Sequence, residues 1–415
     1  MPKIEIKNFG PIKDVTFGIK DYTVFIGPQA SGKSTIVKLF YYFRKFNTDF
    51  VRLLSLPLGF KTSVDQLDIS HTLQQLVCKT FHDYWEHKAF FIQDFNITYN
   101  YSNQTYIKLI CKNKELYAEY STDIIKLFEE SRQHLMNFRK QGKLKPEYYD
   151  SPMIVAYHNE LRDKANKFFG NWNMKYIPAG RHVFPILKDQ PVFIKDKFVR
   201  NFSPEINYIK SEWENTPKNN SSLITKQKQI ELVQLILKGS YSISGDEDGI
   251  MPSDFNEVIP LVYASSGQQE SLWVLLSILN TFFSEEKYCY IIEEPEAHLF
   301  PEAQRNIMHL LTYYVNNKCG NQLMITTHSP YILTPLNNLL QAYLLGQNKS
   351  KHDNVSKIID PKIWINPDHF ECYYVDNGNI ESIVDSEVKM MNLEKLDNAS
   401  RIGNDEYDKL SELED

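Results

Sequence analysis

Apolar positions in the first 46 residues predict strands followed by a helix. Residues 3–7 alternate between charged and apolar side chains, and Tyr22 to Ile26 is a short apolar run, as expected of strands. A glycine-rich loop, Gly27 to Gly32, follows directly. Apolar residues from Ile36 to Phe40 then predict a helix that begins near Lys33.

A regular alternation of strands and helices returns after residue 260. Gly267 to Phe283 has a helical pattern, and Tyr288 to Ile292 is fully apolar, as in a buried parallel strand. The further elements predicted are a helix over Pro301 to Asn317, a strand over Gln322 to Thr326 and a helix over Tyr331 to Gly346. This order predicts an α/β fold.

The segment between these two regions is read as a long insertion. Ala89 to Tyr120 is rich in β-formers and predicts about three antiparallel strands. Helices are predicted over Thr122 to Lys140 and Met153 to Phe169, and a short strand over Lys175 to Pro178. Lys195 to Leu237 predicts two helices folded back on each other, here called the arm, with a turn at residues 219–222.

The predicted organisation therefore has four parts. Residues 1–46 are the N-terminal part of a head, residues 47–260 the insertion, residues 261–385 the C-terminal part of the head, and residues 386–415 a polar tail.

Composition narrows the class of protein. The 415 residues include 42% hydrophobic and 24% charged residues, which excludes a wholly disordered chain. The net charge of −6 excludes a globally basic nucleic-acid binder, although eight basic residues between Lys195 and Lys238 give the arm a local positive charge. Five scattered cysteines without a CxxC pair support neither a disulfide framework nor a cysteine zinc site. No signal peptide or membrane span is apparent, so we expect a cytoplasmic protein that does not enter a membrane.

One loop has the residues of a phosphate-binding site. Gly27-Pro28-Gln29-Ala30-Ser31-Gly32-Lys33-Ser34 matches GxxxxGK(S/T) at every fixed position, and Thr35 follows it on the predicted helix. Glycines allow the backbone amides to surround phosphates, and the helix N-terminus adds partial positive charge. Lys33 would contact the β- and γ-phosphates, and Ser34 would supply a hydroxyl to Mg²⁺. The loop predicts that the chain binds ATP with Mg²⁺.

Two acids end the apolar strand after Ile292. A parallel strand delivers its last residues to the ligand crevice at the carboxyl edge of the sheet. Glu293 would hold Mg²⁺ through water, and Glu294 would act as the general base toward the attacking water. An acidic pair that merely precedes a helix is the alternative interpretation.

Two further segments show a resemblance to ABC-type ATPases. Ser265-Ser266-Gly267-Gln268-Gln269-Glu270 resembles their signature loop, with Gln268 where a second glycine is usual. Ala297 to Pro301 resembles the D-loop, and Thr326-Thr327-His328-Ser329-Pro330 the loop of the switch histidine. The resemblance implies that Ser266, Gly267 and Gln268 contact nucleotide, and that His328 is catalytic with Glu294. It also implies a head with a mixed sheet, here joined to a large, mainly helical insertion.

A longer run narrows this resemblance to one branch of the ABC-type ATPases. It reads Glu-Glu-Pro-Glu-Ala-His-Leu-Phe-Pro and is followed by Thr-Thr-His-Ser-Pro. It resembles the branch that contains the OLD nucleases and the AAA15-type ATPases of bacterial antiphage systems, with the structural-maintenance-of-chromosomes proteins as more distant relatives. Residues 175–181 lie where these ATPases have their Q-loop, but no glutamine is present. Arg181 either replaces it or is an ordinary exposed arginine.

The resemblance implies that the signature of one subunit covers ATP bound by another. With one phosphate loop and one signature, the chain is expected to act as a homodimer or a higher homo-oligomer around ATP, and to regulate a separate effector protein, a nuclease, in antiphage defence. DNA is a candidate further partner: the basic residues of the arm predict contact with DNA or with the effector, and a solvated helix surface is the alternative interpretation. The alternatives are an OLD-type nuclease or a DNA-repair ATPase acting on DNA directly, and the ATPase subunit of a transporter. Only 87 residues follow His328, so we expect no complete Toprim nuclease domain like that of OLD proteins.

Overall fold

A computed structural model gives the fold of the chain. It describes residues 2–55, 69–140, 152–187, 194–215, 221–244, 247–393 and 398–411. The strands are β1 (Lys3–Phe9), β2 (Ile12–Gly18), β3 (Tyr22–Ile26), β4 (Phe95–Asn100), β5 (Tyr106–Lys112), β6 (Glu115–Tyr120), β7 (Asn173–Ile177), β8 (Gly239–Ser244), β9 (Glu247–Pro252), β10 (Ile259–Pro260), β11 (Tyr288–Glu293), β12 (Gln322–Thr327), β13 (Phe370–Asp376) and β14 (Asn379–Ser382).

Helices occupy much of the remaining described chain. They are α1 (Lys33–Ser55), α2 (Ile69–Gln74), α3 (Thr80–Tyr84), α4 (Thr122–Lys140), α5 (Pro152–Phe169), α6 (Val183–Leu187), α7 (Lys197–Arg200), α8 (Ser203–Asn215), α9 (Ser221–Leu237), α10 (Ser266–Thr281), α11 (Pro301–Asn317), α12 (Leu333–Gly346), α13 (Lys349–Ile358) and α14 (Asn398–Ser411).

The main sheet has the order β14-β13-β3-β12-β11-β7. Its pairs are parallel from β13 to β7, and β14 is antiparallel to β13 at one edge. Strand β3, which precedes the glycine-rich loop, thus lies near the centre, with β12 between it and β11. The predicted α/β fold with a mixed sheet is confirmed.

A second sheet joins the N-terminus to the insertion. It is antiparallel throughout, with the order β2-β1-β4-β5-β6. The three strands predicted between residues 89 and 120 are confirmed, and β4 pairs with β1, so that Ile6 faces Ile97. Helix α1 also continues to Ser55, past the boundary predicted after residue 46. The insertion is therefore built onto the N-terminal segment. A third, small antiparallel sheet has the order β10-β9-β8.

Both faces of the main sheet are buried, which explains why its central strands are fully apolar. Phe25 and Ile291 point into one core, which α1 shares with the antiparallel sheet. Val24 and Ile292 point into the opposite core, which includes α10, α11 and α12. Because side chains alternate between the faces of a strand, a strand covered on both sides has no polar face to show.

The two long helices predicted for the arm are present as α8 and α9. They pack against α10 and α11 of the head, and Ile206, Ile209, Val233 and Ile236 are buried there. The prediction of an arm therefore needs correction: these helices cover the head and do not stand away from it. Residues 219 and 220 of the predicted turn lie outside the described residues, and Ser221 and Ser222 already belong to α9.

Within the described part of the chain, none of the helices is long and apolar enough to cross a membrane.

Candidate nucleotide site

The predicted phosphate loop connects β3 to α1 at the carboxyl edge of the main sheet. Residues Gly27 to Ser34 form this loop and the start of the helix, as the motif requires. A side chain on Gly27 would lie 2.1 Å from the Val375 carbonyl oxygen, so only glycine allows the loop to pass β13 at this point. Pro28, Gln29 and Ala30 are exposed, as are the Ser34 side chain and, in part, that of Thr35. The loop thus presents its outer surface and its hydroxyl groups to a ligand.

Lys33 is folded back into this loop. Its Nζ donates to the carbonyl oxygens of Gly27 and Pro28 at 2.8 and 2.7 Å, and more weakly to Ser31 Oγ at 3.4 Å. Burial lowers its pKa from 10.5 to about 8, against the opposing influence of Glu294 and Glu296. A partly desolvated ammonium group gains more from a phosphate than one in water, because desolvation strengthens its attraction to negative charge.

Strand β11 places Glu293 at its end, where the side chain is buried. Glu293 Oε2 accepts a hydrogen bond from the Ala179 amide at 3.1 Å. Its Oε1 is buried and makes no close hydrogen bond among the described residues, although the buried Tyr176 hydroxyl is near enough to interact with Glu293. An orphaned carboxylate oxygen at this edge fits a ligand of Mg²⁺, directly or through water, since that ion keeps few protein ligands and several waters. The Ser34 hydroxyl is the second candidate ligand.

Glu294, His328 and Lys33 form a continuous chain of contacts. Glu294 Oε1 lies 3.0 Å from His328 Nε2, and His328 Nδ1 lies 3.2 Å from Lys33 Nζ. The imidazole thus lies between the Glu294 carboxylate and the Lys33 ammonium group, and its Nδ1 is also 3.1 Å from the Gly27 carbonyl oxygen. The backbone of Glu294 is left-handed, with φ of 45°, a conformation that costs energy in a residue other than glycine and is often found at functional sites.

A third acid, Glu296, holds the histidine loop through two hydrogen bonds. Its Oε1 accepts from Thr327 Oγ1 at 2.5 Å and from the His328 amide at 3.3 Å. Burial raises the pKa of Glu296, and the Thr327 hydrogen bond opposes that rise. Glu296 belongs to the Glu-Glu-Pro-Glu run, but the sequence predicts no role for it. Its buried position depends on the turn after β11, which residue types alone do not reveal.

Arg181 is the residue whose sequence interpretation changes most. Its side chain is 0% exposed, so the second of the two alternatives, an ordinary exposed arginine, is wrong. Its guanidinium group donates to the backbone carbonyl oxygens of Pro178, Glu270, Glu293 and Glu294. Because the Arg181 guanidinium group is hydrogen-bonded to four carbonyl groups, it is not available to hold a metal-bound water as a Q-loop glutamine would.

The signature segment begins helix α10. Ser265 is the N-cap and forms a capping box with Gln268, so Ser266 is the exposed first helical residue. Gln268 also donates from Nε2 to the Leu237 carbonyl at 2.7 Å, and its side chain is thus occupied within the chain. Gly267 is required because a side chain there would lie 2.7 Å from the His298 carbonyl oxygen.

Within the described part of the chain, no hydrogen bond joins Ser266, Gly267 or Gln268 to the phosphate loop. The structure brings together Lys33, Glu293, Glu294 and His328, and keeps the signature at the start of another helix.

Three of the eight basic residues of the arm form ion pairs with acids of other segments. Lys197 lies 3.2 Å from Asp83, Lys210 lies 3.0 Å from Asp248, and Lys228 pairs with Asp360. Lys218 lies outside the described residues. The pairing reduces the local positive charge that the sequence suggested.

A strand, phosphate loop and helix in a parallel sheet, with acids at the end of β11, define a P-loop ATPase domain. The family model described as "AAA ATPase domain", AAA_15, matches residues 1–177 and 158–333. The chain therefore belongs to this family of AAA ATPase domains.

No curated protein shows significant similarity to the chain. Similar solved structures include the SMC head domain from Thermotoga maritima, at 12% identity over 80% of this chain and 90% of that one, with a TM-score of 0.35. An SmcHead bound to the C-winged helix domain of ScpA has 13% identity, the same coverage and a TM-score of 0.37. An Smc head domain bound to the C-terminal domain of ScpA derived from Pyrococcus furiosus has 13% identity over 98% of this chain and 99% of that one, with a TM-score of 0.38.

Proposed function

We propose that the chain is a Mg²⁺-dependent ATPase that forms a dimer around ATP and regulates a separate effector protein. The observation that supports this most directly is the chain of contacts from Lys33 through His328 to Glu294, beside the orphaned Glu293 oxygen. Groups that would hold phosphate, orient a histidine and accept a proton are thus in contact at one edge of the sheet.

Each residue has a distinct part in the proposed hydrolysis. The loop amides and Lys33 bind the phosphates and stabilise the charge that grows on the leaving oxygen. Ser34 and Glu293 would hold Mg²⁺, which supplies further positive charge to the phosphates. Glu294 accepts the proton of the attacking water, and His328 orients Glu294 through its Nε2 proton. Beside the phosphate loop, an open groove of about 310 Å³ is lined by Pro28 to Ser31 and by the turn at Asp376 to Gly378, which leaves room for the nucleoside.

The dimer is proposed from the position of the signature. Ser266 is exposed at the start of α10 and makes no hydrogen bond to the phosphate loop among the described residues, so it could meet a ligand held by a second copy. Large apolar side chains are exposed in or next to the motif segments: Tyr263 before the signature, Phe300 within the D-loop and Tyr331 after the histidine loop. Exposed apolar side chains near one edge favour burial against a partner.

The role in antiphage defence, with a nuclease as effector, rests on the sequence resemblance to AAA15-type ATPases. The pairing of Lys197, Lys210 and Lys228 with acids weakens the alternative in which the arm contacts DNA. A neighbouring gene for a nuclease would support the effector proposal, whereas one for a membrane permease would support a transporter. Metal-dependent cutting that is lost on mutating the chain's own acids would instead favour an OLD-type nuclease.

The test of the proposed activity is ATP hydrolysis by the purified chain with Mg²⁺, compared with Lys33→Ala. We expect hydrolysis by the wild type and none above background for the variant, since no other group in the loop replaces the ammonium charge. Thermal unfolding checks that the variant is folded. Hydrolysis by Lys33→Ala within about threefold of the wild type would contradict the assignment.

A further inference from the structure

The buried guanidinium group of Arg181 connects two parts of the proposed site that are distant in sequence. Nη1 donates to the Glu293 carbonyl at 2.6 Å, and Nη2 donates to the Glu294 carbonyl at 2.9 Å. On its other side, Nε donates to the Glu270 carbonyl at 2.8 Å. One rigid, planar group thus holds the end of β11 and the second turn of α10 at a fixed separation.

The Glu270 carboxylate completes the connection. It is 2% exposed, and its Oε2 lies 3.1 Å from the Arg181 amide and 3.3 Å from Arg181 Nε. Its Oε1 lies 2.6 Å from His182 Nδ1. A buried charge pair is retained only where its hydrogen bonds are satisfied, and losing one partner leaves the other uncompensated. The two side chains therefore act as one unit, here called the Arg181–Glu270 link.

The position of the link along α10 makes it responsive to the signature. Glu270 lies four residues after Ser266, which places it one turn further along the same face of the helix. A helix transmits a displacement of its first turn to the next one. The other end of the link holds the carbonyl oxygens of Glu293 and Glu294, which belong to the two peptide groups that flank Glu294, the residue whose φ is 45°. The direction of the Glu294 side chain depends on these two peptide planes.

We propose that the Arg181–Glu270 link transmits contacts made at the signature end of α10 to the catalytic carboxylate Glu294 of the same chain. Arg181 is then a positioning residue. This inference rests on the proposed function, because in the dimer the signature contacts the partner's ATP while Glu294 serves the ATP of its own chain. The link thereby couples the two sites, and ATP hydrolysis should show positive cooperativity.

The first test uses Arg181→Lys and Glu270→Gln. Lysine keeps the charge but loses the fork that reaches two carbonyl groups, and glutamine keeps the size but not the charge. We expect kcat to fall at least about tenfold and KM for ATP to change less than about threefold, since the phosphate loop is untouched. The matched control is Arg44→Lys, which changes another buried arginine that contacts Gln322 and Trp172 and lies outside the site. It should lower the melting temperature while kcat stays within about twofold.

A double-mutant cycle separates transmission from simple support of the fold. Ser266→Ala removes the signature hydroxyl. If the link transmits the contact made by that hydroxyl, adding Arg181→Lys to the Ser266→Ala variant should lower kcat little further. The loss of kcat in the double variant would then be close to that of one single variant, and cooperativity would vanish in each. Losses that multiply, or kcat of folded Arg181→Lys within about twofold of the wild type, would overturn the inference.

If Arg181→Lys does not fold, the same double-mutant cycle is measured with Glu270→Gln and Ser266→Ala. Absence of ATP hydrolysis by the wild type would reject the proposed function itself, and the inference with it. An active wild type with unaltered Arg181→Lys would reject the inference alone.

Discussion

The lowered pKa of Lys33 makes ATP binding depend on pH in a calculable way. In the free protein, burial brings this pKa from 10.5 to about 8, with Glu294 and Glu296 opposing the shift. Bound phosphates favour the charged ammonium group and should raise the pKa again. Above pH 8, binding must therefore be accompanied by uptake of a proton by Lys33.

The magnitude follows from the free-state pKa of about 8. Lys33 is deprotonated in about a tenth of molecules at pH 7, about half at pH 8 and about nine tenths at pH 9. The Kd for ATP should accordingly rise about tenfold between pH 7 and pH 9. The second pKa of a terminal phosphate is about 6, so titration of the phosphate itself changes the Kd little between pH 7 and pH 9.

The sign of the stability effect is opposite to that of the binding effect. The folded-state pKa lies below the unfolded value of 10.5, so the buried ammonium group costs stability below about pH 8. That cost declines as the pH rises from 8 toward 10.5. Raising the pH therefore reduces the free-energy cost of burying the Lys33 ammonium group in the free protein, while it weakens the binding of ATP.

Isothermal titration calorimetry at pH 7, 8 and 9, in two buffers with different heats of ionisation, measures both Kd and proton uptake. The control is Lys33→Arg, whose guanidinium group stays charged and should show no uptake. Uptake should be about half a proton at pH 8 and close to one at pH 9. A flat Kd with no proton uptake at pH 9 would refute the assignment of a lowered pKa to the lysine that binds phosphate.

Three other substitutions, in two experiments, give further predictions. Glu294→Gln should keep ATP binding while kcat falls by about 10²- to 10⁴-fold, the usual contribution of a general base; failure of this variant to bind nucleotide would instead give Glu294 a metal-binding or structural role. Reversing Lys210 and Lys228 to Glu places like charges opposite Asp248 and Asp360, which should cost about 1 kcal/mol or less of stability each and leave basal ATPase activity and any DNA binding unchanged. Thermal unfolding and DNA binding at low salt measure these effects, and a salt-dependent loss of DNA binding would restore the arm as a DNA contact.

The parts of the site that are contiguous in sequence could be predicted from it. The phosphate loop has fixed spacing, and its flanking strand and helix are local features. Strand β11 could be predicted because burial on both faces leaves only apolar residues before Glu293. In each case the residues that decide the structure are neighbours in the chain.

Long-range pairing explains what the sequence did not reveal. Arg181 is buried because its partners, Glu270 and Glu293, lie 89 and 112 residues away. Lys228 is neutralised by Asp360, 132 residues away, which is why the arm looked more basic than it is. The pairing of β1 with β4 across the predicted boundary has the same origin, since a strand pattern does not name its partner.

The molar mass of the Glu294→Gln variant in solution tests the central proposal, a dimer held together by ATP, most directly. Light scattering with and without Mg²⁺-ATP should show twice the 48.7 kDa of the chain, or a higher multiple, only with nucleotide. Ser266→Arg in the same variant should prevent this change, because it blocks the signature while leaving the phosphate loop intact. A mass that is the same with and without Mg²⁺-ATP, in a variant shown to bind ATP, would contradict the account.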